Sequence, residues 1–127
     1  MKKILLVDDS ELYIEVALNI LRPQYEIIAA KSGNEALNFL ANGFVPDLIL
    51  LDILMPEMDG WETYNLVKGI SLLRDVPIAF LTALDSEAEK DHAAIIGASA
   101  FITKPFEKEA LLERVSVIIQ EHELGKQ

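Results

Sequence analysis

The sequence predicts a doubly wound α/β sandwich, a parallel five-stranded sheet with helices on both faces. Short uninterrupted apolar runs such as Ile4-Leu5-Leu6-Val7 and Leu48-Ile49-Leu50-Leu51 read as strands buried on both sides. Segments with apolar residues at helical spacing separate these runs. That alternation implies parallel strands joined by right-handed crossovers. The economical strand order is 2-1-3-4-5, which puts the topological switch point between the first and third strands.

Each element has a local reason. After the first strand, Ile4 to Val7, Ser10 can cap a helix beginning at Glu11, whose Ile14, Ala17, Leu18 and Leu21 keep helical spacing until Arg22-Pro23 stops it. Tyr25 to Ala30 reads as the second strand, and Ser32-Gly33 opens a helix from Asn34 to Leu40 that ends near Asn42-Gly43. Asp47 to Asp52 is the third strand. Met55 to Gly60 is a loop punctuated by Pro56 and Gly60, followed by a helix from near Trp61 to Gly69. Val76 to Leu81 is the fourth strand, Ser86 to Ile96 the fourth helix with Gly97 behind it, Phe101 to Thr103 the fifth strand, and Glu107 to Gln120 the last helix. One domain over residues 1–121 is expected, with a polar tail over 122–127, His122 to Gln127, that frays.

Composition narrows the function. A chain of 127 residues suits one core. The absence of cysteine removes disulfides, thiolate metal sites and thiol nucleophiles, and fits a reducing, cytoplasmic location. Met1-Lys2-Lys3 before an apolar run resembles a secretion signal, but Asp8-Asp9 ends the run too early. No run approaches the roughly eighteen apolar residues of a membrane span. A net charge of −10 repels phosphate backbones and anionic lipid, so neither nucleic acid nor membrane is an expected direct partner.

The acids at strand ends invite more. Asp8 and Asp9 follow the first strand and Asp52 the third, while the fourth delivers Thr82 and the fifth Lys104-Pro105. All fall at the sheet edge where open α/β folds bind ligands. Three carboxylates within about 4 Å repel by roughly 1 kcal/mol per pair in water and about 4 at an effective dielectric of 20. A divalent cation relieves this, and an oxygen-only donor set favours Mg²⁺. With Lys104 and Thr82 opposite, the site suits a phosphoryl group, and Asp52 on the central strand is the best nucleophile.

Val7-Asp8-Asp9-Ser10, the run from Leu51 to Gly60, Leu81-Thr82-Ala83 and Thr103-Lys104-Pro105-Phe106 together resemble the receiver domain of two-component response regulators, a (βα)5 flavodoxin-like family. The resemblance implies phosphorylation of Asp52 by a histidine kinase or histidine phosphotransfer protein. It implies Mg²⁺ held by Asp9, Asp52 and the backbone carbonyl of Leu54, with Asp8 orienting a metal-bound water. It further implies Lys104 on the phosphoryl oxygens, a cis Lys104-Pro105 bond, and movement of Thr82 and Phe101 that reshapes the face formed by the fourth helix, fifth strand and fifth helix. The partners implied are a downstream protein target or an output domain, with a phosphorylation-dependent dimer as one outcome. The chain is then a stand-alone regulator or a piece of a longer regulator or hybrid kinase. Leu54 and Leu84 are apolar where other members place water-positioning groups, so slow self-dephosphorylation is expected.

Plainer readings stand beside these. Asp8-Asp9-Ser10 alone is an ordinary helix cap, Thr82 a backbone-bonded hydroxyl, Lys104 a solvated amine, Phe101 and Trp61 packing, and His92 and His122 solvated. A receiver-like module that works without phosphorylation is the competing function. A dehalogenase-type phosphatase needs an acid at position 54, and a flavodoxin-like carrier needs a glycine-rich loop after the first strand; neither is present.

Overall fold

The computed structural model describes residues 1–126, and Gln127, the last residue of the expected tail, lies outside the described residues. The elements run β1 (Lys3–Val7), α1 (Glu11–Leu21), β2 (Glu26–Ala30), α2 (Gly33–Ala41), β3 (Leu48–Leu51), α3 (Gly60–Lys68), β4 (Ile78–Thr82), α4 (Glu87–Ile96), β5 (Ala100–Thr103) and α5 (Lys108–Gly125). The five strands are parallel in the order β2-β1-β3-β4-β5. No helix among the described residues is long and apolar enough to cross a membrane.

Side chains alternate across a strand, so each apolar run feeds two cores. Ile4, Leu6, Leu48, Leu50, Ala79 and Leu81 meet α1 and α5 on one face. Leu5, Val7, Ile49, Leu51, Ile78 and Phe80 meet α2, α3 and α4 on the other. Burying a Leu or Ile of this kind stabilises by about 1.5–3 kcal/mol. The uninterrupted apolar character of β1, β3 and β4 is therefore required by burial on both sides rather than by strand propensity.

Side-chain caps set the helix starts: Ser10, Ser32, Asp59 and Ser86 each accept the N–H three residues on, at Tyr13, Glu35, Glu62 and Glu89. Gly97 closes α4 at φ 95°, a conformation glycine reaches without a Cβ penalty. These caps hold the elements that deliver the site.

Two features depart from the sequence reading. A 3-10 turn, Ser71–Leu73, precedes β4, and its Leu73 is buried in the second core. Helix α5 continues to Gly125, through the segment expected to fray. The polarity of that segment belongs to an exposed helical face, and Lys2 Nζ reaches Glu123 Oε1 at 2.6 Å, tying it to the start of β1.

Lys68, at the end of α3, donates to the carbonyls of Arg74 at 3.1 Å and Val76 at 2.7 Å, fastening the 3-10 turn. Burial holds its ammonium below the ordinary lysine pKa, only partly opposed by Asp75. Below the ordinary value the unfolded chain then binds more protons than the folded one, so this group makes stability rise with pH through that window. Urea unfolding from about pH 8 upward is expected to show this rise in the wild type relative to Lys68→Met. Parallel pH profiles for the two proteins would refute it. The difference cancels Tyr25, whose burial raises its pKa and acts in the opposite sense. Tyr64 is shifted the same way, but its ring centre lies 5.8 Å from the Lys68 ammonium, so the comparison is made with Tyr64→Phe in both proteins.

Candidate functional site

The carboxyl ends of β1, β3, β4 and β5 converge at the switch point between β1 and β3. Two bonds extend the pairing past the strands: Asp52 N–H donates to the Val7 carbonyl at 2.9 Å, and Lys104 N–H donates to that of Thr82 at 2.8 Å. Residues far apart in sequence are thereby fixed by sheet register.

Carboxylate oxygens of Asp8, Asp9 and Asp52 lie within 4.8 Å of one another. Asp8 and Asp52 are buried and Asp9 is exposed, so the cluster opens to solvent on one side. Lys104 Nζ bridges Asp8 Oδ2 at 2.6 Å and Asp52 Oδ2 at 3.2 Å, with its side chain only 5% exposed. Main-chain donors steady the acids: Ser10 N–H reaches Asp8 Oδ1 at 2.9 Å and Leu54 N–H reaches Asp52 Oδ1 at 3.2 Å. Burial pushes the Asp8 carboxyl above the usual carboxylate range. The Lys104 ammonium and the Ser10 N–H pull it back, while the Asp52 charge adds to the rise. The donor set is all hard oxygen with two buried carboxylates sharing one ammonium, a charge excess that fits Mg²⁺.

Thr82 is fully buried, and its Oγ1 accepts the Leu84 N–H at 3.3 Å. The Lys104–Pro105 peptide bond is cis. Phe101, half-buried, pairs in register with Phe80, their rings 6.3 Å apart. Leu54 and Leu84 line a groove of about 590 Å³ together with Trp61. Trp61 packs on Phe80 at 4.8 Å and against His92 at 4.4 Å, so His92 is exposed but carries an aromatic contact rather than standing free in solvent.

Two residues of the site escape sequence reasoning. Gly60 begins α3, and a Cβ there would lie 2.3 Å from the Asp52 carbonyl and 2.6 Å from Ile53 Cα. Its signal is a glycine directly after the capping Asp59, a position that helix propensity disfavours. Gly60→Ala is expected to destabilise by about 1–3 kcal/mol as backbone must shift. Urea unfolding tests this, and a wild-type midpoint would contradict it. Tyr13 is the second. Its ring centre lies 4.3 Å from Lys104 Nζ, and the only hint in sequence is an aromatic on the first turn of α1 outside the core spacing.

A doubly wound sheet with three carboxylates and a lysine gathered at its switch point defines a class, the small α/β domains with an acidic site at the strand ends. Residues 4–116 match the family model described as the response regulator receiver domain. The chain is 38% identical over 125 residues to the alkaline phosphatase synthesis transcriptional regulatory protein PhoP of Bacillus subtilis, covering 98% of this chain and 51% of PhoP. It is 34% identical over 111 residues to protein PilG of Pseudomonas aeruginosa, covering 87% of this chain and 82% of PilG. Among solved structures, the chemotaxis protein CheY4 of Vibrio cholerae superposes with a TM-score of 0.86 at 34% identity, over 93% of this chain and 98% of that one. The chain belongs to the receiver domains of two-component response regulators. It spans about half the length of PhoP. Receiver domains are signalling switches that bind Mg²⁺ through acidic side chains and work with histidine kinases and output domains; Asp8, Asp9 and Asp52 form such an acidic set.

Proposed function

We propose that Asp52 is the phosphoacceptor of a His-to-Asp relay. The observation that carries this is the Lys104 ammonium shared between Asp8 and Asp52 within the three-carboxylate cluster. An Asp52 carboxylate oxygen attacks phosphorus, forming a P–O bond as the P–N bond of a phosphohistidine breaks. The imidazole nitrogen leaves with the electron pair. The Lys104 amine stabilises charge on the equatorial oxygens, and Thr82 donates its hydroxyl to one of them.

Asp8, Asp9, Asp52 and the backbone carbonyl of Leu54 would hold Mg²⁺, which supplies charge neutralisation for the acids and the phosphoryl oxygens. The donor is a histidine kinase or histidine phosphotransfer protein in the cytoplasm. The output runs through the α4-β5-α5 face, with Thr82 and Phe101 as the switch pair, to a protein target or output domain. Dimerisation upon phosphorylation is one form that output takes. The working domain runs from β1 through the end of α5 at Gly125, four residues past the 1–121 expected from the sequence. Intact mass after incubation with a small-molecule phosphodonor tests the reading: one phosphoryl group gained with Mg²⁺ and none with chelator is expected. No gain in either case would favour a binding module that works without phosphorylation.

Leu54 is 52% exposed and, like Leu84, offers an attacking water no hydrogen bond. Leu54→Asn is expected to speed loss of the phosphoryl group roughly fivefold, what one hydrogen bond of about 1 kcal/mol supplies. An unchanged half-life of the phosphorylated mass would remove this account of lifetime.

A further inference from the structure

Lys104 carries a long flexible stem, and a point charge on such a stem keeps one position only where several contacts agree. Three contacts surround its ammonium: Asp8 at 2.6 Å, Asp52 at 3.2 Å, and the face of the Tyr13 ring at 4.3 Å from its centre. Only the ring is uncommitted to the chemistry, because both carboxylates take part in cation binding or in phosphoryl transfer under the reading above. A ring face attracts an ammonium through its quadrupole, most strongly where water is excluded, and Lys104 is almost fully buried.

The ring is itself held. Tyr13 donates its backbone N–H to the capping Ser10 Oγ at 3.3 Å, and its ring lies 6.0 Å from that of Phe106, tilted by 47°. Tyr13 stands apart from the core positions Ile14, Ala17, Leu18 and Leu21 of its helix. Core packing alone does not account for its placement beside the lysine.

The geometry points to Tyr13 as a positioning residue for the reaction: its ring face keeps the Lys104 ammonium at the pocket while the carboxylates exchange partners. This rests on Asp52 being the phosphoacceptor. It also couples the first turn of α1 to the β5–α5 loop through Lys104 and Phe106.

The test replaces Tyr13 by Phe, by pentafluorophenylalanine and by Leu, and follows phosphoryl gain from a small-molecule donor at saturating Mg²⁺ by intact mass. Proton NMR reads the Lys104 Cε methylene without any phosphodonor. Tyr13→Phe keeps the electron-rich face and is expected to stay within about twofold of wild type. Leu and pentafluorophenylalanine are expected to be roughly tenfold slower. The Cε protons, shifted upfield by the ring in wild type and Phe, are expected to move downfield in Leu. If the fluorinated ring matches Phe in rate, the ring is only a spacer and the proposal falls. It falls equally if Leu keeps the wild-type rate and methylene shift. A wild type that gains no phosphoryl group, yet shows the upfield methylene that Leu loses, would overturn the phosphoacceptor reading and leave the Tyr13–Lys104 contact standing.

Discussion

Asp52→Asn is expected to take up no phosphoryl group under conditions that convert the wild type fully. A carboxamide has nearly the same shape but no anionic oxygen to attack phosphorus. Its oxygen can still accept the Leu54 N–H, now at 3.2 Å, so the loop after β3 should keep its conformation. Lys104 loses one partner and retains Asp8 at 2.6 Å. The folded state should not suffer, because Lys104 keeps a buried counter-ion and the substitution removes the Asp52 charge that adds to the rise burial imposes on the Asp8 carboxyl. Intact mass with Mg²⁺ and phosphodonor measures the first outcome and urea unfolding the second. Phosphoryl gain at the wild-type rate would move the acceptor to another acid and end the assignment of Asp52.

Lys104→Met is expected to lower stability by about 3 kcal/mol at neutral pH without Mg²⁺, within the range for removing one member of a buried ion pair. Methionine fills similar volume, so packing is not the main loss. The Asp8 and Asp52 side chains, 1% and 5% exposed, are left with no ammonium between them. Burying an unpaired charge is costly unless it takes up a proton or finds a cation. Millimolar Mg²⁺ should therefore restore part of the loss, because a cation among the acids replaces the missing charge. Urea unfolding with and without Mg²⁺ separates the effects. A variant as stable as wild type in chelator would mean that the lysine offers the folded state nothing.

The alternation that built the sheet was readable because burial on both faces leaves little choice of residue. Leu48 to Leu51 could serve no other purpose at that length, and Ser10 and Ser32 mark helix starts by a local hydrogen bond, whereas the same role of Asp59 and Ser86 emerged only in the structure. Reading α5 as ending at Gln120 failed for the converse reason. A polar helical face and a frayed tail look alike in sequence; the structure shows the helical face, with Glu123 reached by Lys2 from 121 positions away.

The candidate site divides in the same way. The gathering of Asp8, Asp9, Asp52 and Lys104 was legible because each ends or follows a strand, and parallel strands in one order put those ends together. The close approach of Gly60 to the Asp52 carbonyl, the bridge of one ammonium between two carboxylates and the Tyr13 ring over Lys104 were not legible. Sequence by itself determined which residue types stand at which strand ends, since periodicity and capping are local. Only the tertiary structure decided which atoms touch, because a shift of about 1 Å between a helix and the sheet it covers separates a hydrogen bond from a gap, and the packing of the whole core fixes that shift.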